Sequence, residues 1–278
     1  MSARVAVLLS GGGAKAAAHA GALAALTEAG LVPTHLVGTS MGAVIGACFA
    51  AGLGRDEILD RVAMIGTRGI VRAPWAPFGG LWLRSLLRGE PLRDGIAALV
   101  PARAFDELKI PLVVTAVDLD TGALVRFGPG GESVPLVEAL WASCALPVFY
   151  PPVAMGGRRL VDGGLRGVVP FEAAADLPAD LVVAVDVGPG FDEPVAPAAS
   201  YPALVGLHND MTGVLMAALT AAELARWRAE PGRPELVYVR PRVERSATFR
   251  VDRAREYAVE GHRATTAALA AREARTRA

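Results

Sequence analysis

Within the first 52 residues a short apolar run is twice interrupted by a glycine-bearing turn and then followed by a helix-forming stretch. This repetition restricts the fold more than any other feature. Val5 to Leu9 is apolar at every position, without the alternation of a half-exposed strand, and it is bounded by Ser10 and three glycines. Such a run reads as a strand buried on both faces, the habit of parallel sheets. Ala14 to Ala29 is rich in Ala and Leu, with Gly30 as a stop and Pro33 beyond it, and so reads as a helix. His35 to Gly38 then predicts a second strand, and Met41 to Ala51 a second helix ending at Gly52. The βαβα order predicts a doubly wound, mostly parallel sheet with right-handed crossovers, helices covering both faces.

Further strands are expected at Pro111 to Val117, with an antiparallel partner from Ala123 to Phe127, and at Leu181 to Val187 and Glu235 to Arg240. A small hairpin around Gly156-Gly157 has a second arm, Arg158 to Val161, that carries Asp162 into a loop. Val134 to Ala145, Ala203 to Arg228 and the stretch from about Val251 read as helices, the last as a solvated, charge-balanced one. Residues 67–105 break the rhythm. Pro74, Pro77, Gly79, Gly80 and Gly89 are scattered there among Trp75, Phe78, Trp82, Leu83, Leu86 and Leu87, which predicts an insertion over the site. With Arg72, Arg84 and Arg88, residues 72–88 could form a lip that meets acyl chains and lipid phosphate, although the pattern equally suits a pair of core helices. With 278 residues and no linker dividing it, the chain is expected to be one domain spanning 1–278.

Charge narrows the partners. Lys plus Arg and Asp plus Glu number 28 each, so no net field draws the protein to nucleic acid. Cys48 and Cys144 lie in apolar segments without ligand spacing, and no His spacing suggests a metal; free thiols, a cytoplasmic setting and no cofactor are expected. The run Val5 to Leu9 after Arg4 mimics a signal peptide but is cut short by Gly11-Gly12-Gly13 and Lys15. No stretch reaches the roughly 20 apolar residues that span a bilayer, so at most peripheral contact with the inner face of the membrane is expected. Oligomeric state leaves no mark in the sequence.

Three motifs carry chemistry. Gly38-Thr39-Ser40-Met41-Gly42 sits between a predicted strand and a predicted helix, the setting of a nucleophile elbow: a sharp turn exposes the serine oxygen, and Gly38 and Gly42 let neighbouring chains pass closely. The same serine could merely cap the helix. Ser10-Gly11-Gly12-Gly13-Ala14-Lys15 offers successive backbone N–H groups to an anion, either a bound phosphate or a transition-state oxyanion. It fails as a dinucleotide fingerprint because Val32 to Thr34 holds no carboxylate, and as a phosphate loop because alanines follow Lys15. Asp162-Gly163-Gly164 places a carboxylate with little crowding at the end of a short arm, or simply makes an Asp-Gly turn.

In order, spacing and strand context these motifs resemble those of the patatin-like phospholipase family. The resemblance extends to Ser143-Cys144-Ala145-Leu146-Pro147, the Pro151-Pro152 bend, and Pro170 to Ala175 leading into the Leu181 strand. Ala16 departs from it, standing where the family commonly has glycine. The resemblance implies a three-layer α/β/α sandwich and a Ser40–Asp162 dyad that hydrolyses fatty-acyl esters through an acyl-enzyme. It also implies an oxyanion hole in the glycine loop: Gly11, Gly12 and Gly13 are the candidates, with Met41 as a further donor. A Ser-His-Asp triad would have to draw on His19, His35, His208 or His262, none in a convincing context. A non-catalytic lipid- or partner-binding module of the same fold, and an acyltransferase using the same acyl-enzyme, are the alternatives.

Overall fold

The computed structural model describes residues 3–68, 89–190, 203–244 and 250–277. Val5–Leu9 forms β1, buried at every position, and His35–Thr39 forms β2 beside it in parallel. Between them a 3-10 turn over Gly13–Ala16 leads into α1, Ala17–Glu28. After β2 come α2, Met41–Ala50, and α3, Arg55–Arg68, the latter opened by Asp56 and Glu57 at its positive end. Residues 69–88, which include the whole of the expected lip at 72–88 and about half of the expected insertion, lie outside the described residues. The remainder of that insertion includes α4, Gly89–Leu99, which turns Leu92, Ile96 and Leu99 into the main core.

The parallel body of the sheet continues through β3, Leu112–Asp118, and the antiparallel β4 is Leu124–Phe127. Leu136–Ser143 is α5, and Val153–Met155 and Arg158–Asp162 are the hairpin strands β5 and β6. A short α6, Phe171–Ala174, precedes β7, Leu181–Val185, which lies parallel to β1 on the side away from β2. The chain ends with α7, Ala203–Ala229, then β8, Glu235–Val239, parallel to β7, and α8, Ala254–Arg277. The direction of strand addition thus reverses at β1, the switch point at which open α/β sheets bind ligands beyond their strand ends.

Two features decide where the site forms. Along Val114 to Val117 one edge of β3 is taken by β4, so β2, paired with Leu112 to Thr115, and β6, paired with Ala116 to Asp118, share the other edge. They run toward each other along it. Thr39 ends opposite Thr115 and Asp162 opposite Ala116, so the carboxyl ends of β2 and β6 meet head-on.

The second feature is the packing of α8 on α1. A methyl at Gly261 would stand 1.9 Å from the Ala18 carbonyl oxygen, and one at Gly21 1.8 Å from that of Ala258, so the helices touch backbone to backbone. Tyr257, Ala258, Gly261, Ala264, Thr265 and Leu269 are buried on that face. The C-terminal helix is therefore a covering layer of the fold as well as a solvated surface, because glycine and alanine at helical spacing make a seam that its many arginines conceal in composition. Among the described residues no helix is long and apolar enough to cross a membrane.

Candidate active site

Ser40 occupies the turn between β2 and α2 with φ 54° and ψ −135°, a backbone conformation that a side-chain-bearing residue rarely adopts. Its hydroxyl makes no capping bond to the helix it precedes, so the simple capping role is not what the turn uses it for. The bracketing glycines explain how so sharp a turn fits. A methyl at Gly38 would stand 2.4 Å from Ala43 Cα, and one at Gly42 2.3 Å from the Ser10 carbonyl oxygen. The Ser40 N–H donates to Ser143 Oγ at 2.8 Å.

Asp162 lies across the strand-end junction and is 4% exposed. Its Oδ1 accepts the Gly164 N–H at 2.8 Å, and its own N–H donates to the Ala145 carbonyl at 3.1 Å. Burial pushes the carboxyl up to about 6, against the opposing influence of hydrogen bonds from the Gly164 N–H and the Ser40 hydroxyl. Gly163 is needed for close passage, since a methyl there would stand 2.5 Å from Thr115 Oγ1. Cys144 adjoins both groups; burial and the nearby Asp162 charge push its thiol well up, so it stays protonated.

The glycine loop leaves the end of β1 and lies against the elbow: a methyl at Gly11 would stand 3.3 Å from Ser40 Cβ. One of the four expected oxyanion donors is already engaged within the protein. The Gly11 N–H donates to the Val168 carbonyl at 3.0 Å. Among the described residues, no carbonyl accepts from the N–H groups of Gly12, Gly13 or Met41. Gly13 has φ 59°, which turns the chain and exposes its amide. The Met41 N–H is at the amino end of α2, where the helix dipole favours negative charge.

A second layer of residues, to which sequence reasoning assigned no role, holds this loop in place. Val187 backs Gly12 so closely that a methyl there would stand 2.8 Å from Val187 Cγ2, and the Val187 N–H donates to Ser10 Oγ at 2.8 Å. The Gly188 carbonyl accepts from Lys15 Nζ at 3.2 Å and from Arg240 at 3.1 Å. Asp186, buried at the end of β7, accepts the Gly188 N–H, the Tyr238 hydroxyl at 2.5 Å and Arg240 at 2.8 Å. His19 Nε2 lies 2.8 Å from the Ser10 carbonyl, and burial pulls its pKa down to about 4, so the neutral ring donates that bond. No local motif marks these residues; they converge only because β7 and β8 lie next to β1.

None of the four histidines is hydrogen-bonded to Ser40 among the described residues. His19 serves Ser10, His35 pairs with Thr34, His208 with Thr212 and His262 with Glu28. No group of three or more His, Cys, Asp or Glu side chains that could hold a metal comes together among the described residues.

The family model for patatin-like phospholipases matches residues 7–175. An uncharacterized NTE family protein of Mycobacterium tuberculosis is 37% identical over 188 residues, which cover 67% of this chain and 49% of that protein. The chain thus matches about half the length of its mycobacterial relatives. Patatin-like phospholipase domain-containing protein 7 of Rattus norvegicus is 29% identical over 198 residues, covering 66% of this chain and 14% of that protein. Among solved structures, VipD from Legionella pneumophila superposes with a TM-score of 0.52 at 16% identity, covering 98% of this chain and 67% of that one. This is a likeness of fold.

Proposed function

The chain belongs to the patatin-like phospholipase family, and from that premise we propose that it is a serine acyl hydrolase that cleaves fatty-acyl esters of lipids, with Ser40 as nucleophile and Asp162 as general base. The observation that carries the reading is the head-on meeting of β2 and β6 on one edge of β3, which sets a strained serine and a buried carboxylate level with each other. A purely structural serine has no need of φ 54°.

In this reading the Ser40 hydroxyl attacks the ester carbonyl carbon while its proton passes to Asp162. The carbonyl oxygen gains negative charge and is met by the N–H groups of Gly12, Gly13 and Met41. Collapse expels the alcohol, protonated by Asp162, and leaves the acyl group on Ser40. Water then attacks the acyl-enzyme as Asp162 takes its proton; collapse breaks the acyl–Ser40 bond, Asp162 returns the proton to the Ser40 oxygen, and the acid is released. A carboxylate with pKa about 6 is a stronger base than an exposed one yet remains ionised at neutral pH. Most of the rate must still come from the oxyanion donors, each worth on the order of 100 to 1,000-fold. The buried thiols of Cys48 and Cys144 suit a reducing, cytoplasmic setting.

Labelling with a fluorophosphonate, followed by hydrolysis of p-nitrophenyl esters of rising chain length, tests the proposal. Wild type is expected to label and to favour longer acyl chains; Ser40→Ala is expected to lose label and turnover, and Asp162→Asn to lose turnover. Full activity in either variant would overturn it.

A further inference from the structure

The first half of α7 turns large apolar side chains into solvent: Leu204 is 78% exposed, Leu207 56%, Met211 58%, Val214 51% and Leu215 69%. At about 100° per residue these five fall within a stripe roughly 100° wide, and the exposed Ala218 and Ala222 extend it along the helix. The stripe itself carries no charge; Asp210 lies at its border and Glu223 on the inner side. The opposite face of the helix is the one that packs. Thr220 and Trp227 are buried there, and a methyl at Gly164 would stand 3.5 Å from Met216 Cε. An ordinary surface helix turns polar residues outward. This one is apolar on both sides, and its inner side rests on the loop that follows Asp162.

Resting on the acyl-hydrolase reading above, we propose that the outward stripe of α7 seats the protein on a phospholipid bilayer, bringing the Ser40 site to the lipid surface. The five side chains expose roughly 500 Å², the size of the largest apolar patch on a typical monomer (~300–600 Å²), a patch that is often functional, and short of the ~800 Å² per partner typical of a stable protein pair. An uncharged apolar helix face suits the headgroup–acyl boundary, where binding strength scales with the apolar area immersed. Because the stripe lacks charge and the chain has a formal net charge of zero, attraction to anionic lipid contributes little.

The test is sedimentation of the full chain with phosphatidylcholine vesicles, with and without phosphatidylserine, at low and high salt. Wild type is expected to pellet in every case with little dependence on salt or phosphatidylserine. The double variant Leu207→Gln/Leu215→Gln should partition at least about tenfold more weakly, lose turnover on vesicle phospholipid, and keep its melting temperature and its turnover of p-nitrophenyl butyrate in solution. Should the double variant melt early, Met211→Gln alone is expected to give a smaller drop of the same kind. Unchanged partition in the variants, or a wild type that stays in the supernatant, overturns the proposal; a supernatant dimer split by Leu207→Gln/Leu215→Gln would assign the stripe to a second copy instead. If wild type and Ser40→Ala pellet equally but neither hydrolyses any ester, the docking surface stands and the acyl-hydrolase reading fails.

Discussion

Ser143 Oγ accepts the backbone N–H of Ser40 at 2.8 Å, and two residues further along the same segment the Ala145 carbonyl accepts the backbone N–H of Asp162 at 3.1 Å. One three-residue stretch at the end of α5, Ser143 to Ala145, thereby grips both proposed members of the dyad by their main chain. The grip uses neither the Ser40 hydroxyl nor the Asp162 carboxylate, one oxygen of which accepts the Gly164 N–H.

Ser143→Ala leaves the Ser40 N–H buried without a partner, which costs about 1–3 kcal/mol. A lower melting temperature is expected, together with a fall in kcat of tenfold or more and a slower fluorophosphonate reaction, with KM nearly unchanged. Ser143→Thr, which keeps the hydroxyl, should recover much of the loss. Equal kcat in Ser143→Ala and wild type would show that the contact does not position the nucleophile.

Activity is expected to rise with pH and level off above neutrality, with its midpoint near the Asp162 pKa of about 6. The sign follows from the role: the base must be ionised to accept the serine proton. Initial rates on a soluble ester between weakly acidic and neutral pH check this, and a midpoint near 4 would mean that burial does not act on Asp162 as described.

The same shift acts on stability in the opposite sense. Folding raises the Asp162 pKa from 3.8 to about 6, so the folded state binds more protons than the unfolded one between those values, and stability falls as pH rises through that window. The ionised carboxylate costs on the order of 3 kcal/mol at neutral pH. Asp162→Asn is therefore expected to melt higher than wild type at pH 7, with the margin shrinking in acid, while losing turnover. A lower melting temperature at pH 7 would count against it.

Arg240→Ala removes a partner of the buried Asp186 carboxylate and one of the donors to the Gly188 carbonyl. Breaking a pair of this kind costs about 3 kcal/mol. Because Val187 backs Gly12, esterase kcat should fall as well, and by more than a destabilising change of similar size on α8 produces. Denaturant unfolding and kinetics on the same preparation separate the two effects.

Two glycine replacements should behave oppositely. Gly42→Ala drives a methyl to 2.3 Å from the Ser10 oxygen and 2.6 Å from that of Leu9, where backbone must move, so a loss of about 3 kcal/mol and of activity is expected. Gly206→Ala, inside α7 with nothing within 4 Å, should stabilise by about 0.5–1 kcal/mol. Thermal melts of the two variants decide it.

The sequence alone determined the strands Val5 to Leu9 and His35 to Gly38, their helices, the hairpin that carries Asp162 and the glycines that bracket Ser40, because each rests on local physics: runs buried on both faces, helix propensity, and turns that tolerate no Cβ. Only the tertiary structure decided that β2 and β6 share an edge of β3, which sets Ser40 level with Asp162 from 122 positions away. It likewise decided that Gly11 bonds to Val168, that Asp186 and Arg240 brace the glycine loop, and that Gly21 meets Gly261. Ladder register and helix contact depend on which distant segments adjoin, and no local preference encodes that. The outward stripe of α7 makes the same point. Ala203 to Arg228 reads in the chain only as a helix, and only the tertiary structure shows which of its faces packs and which faces out.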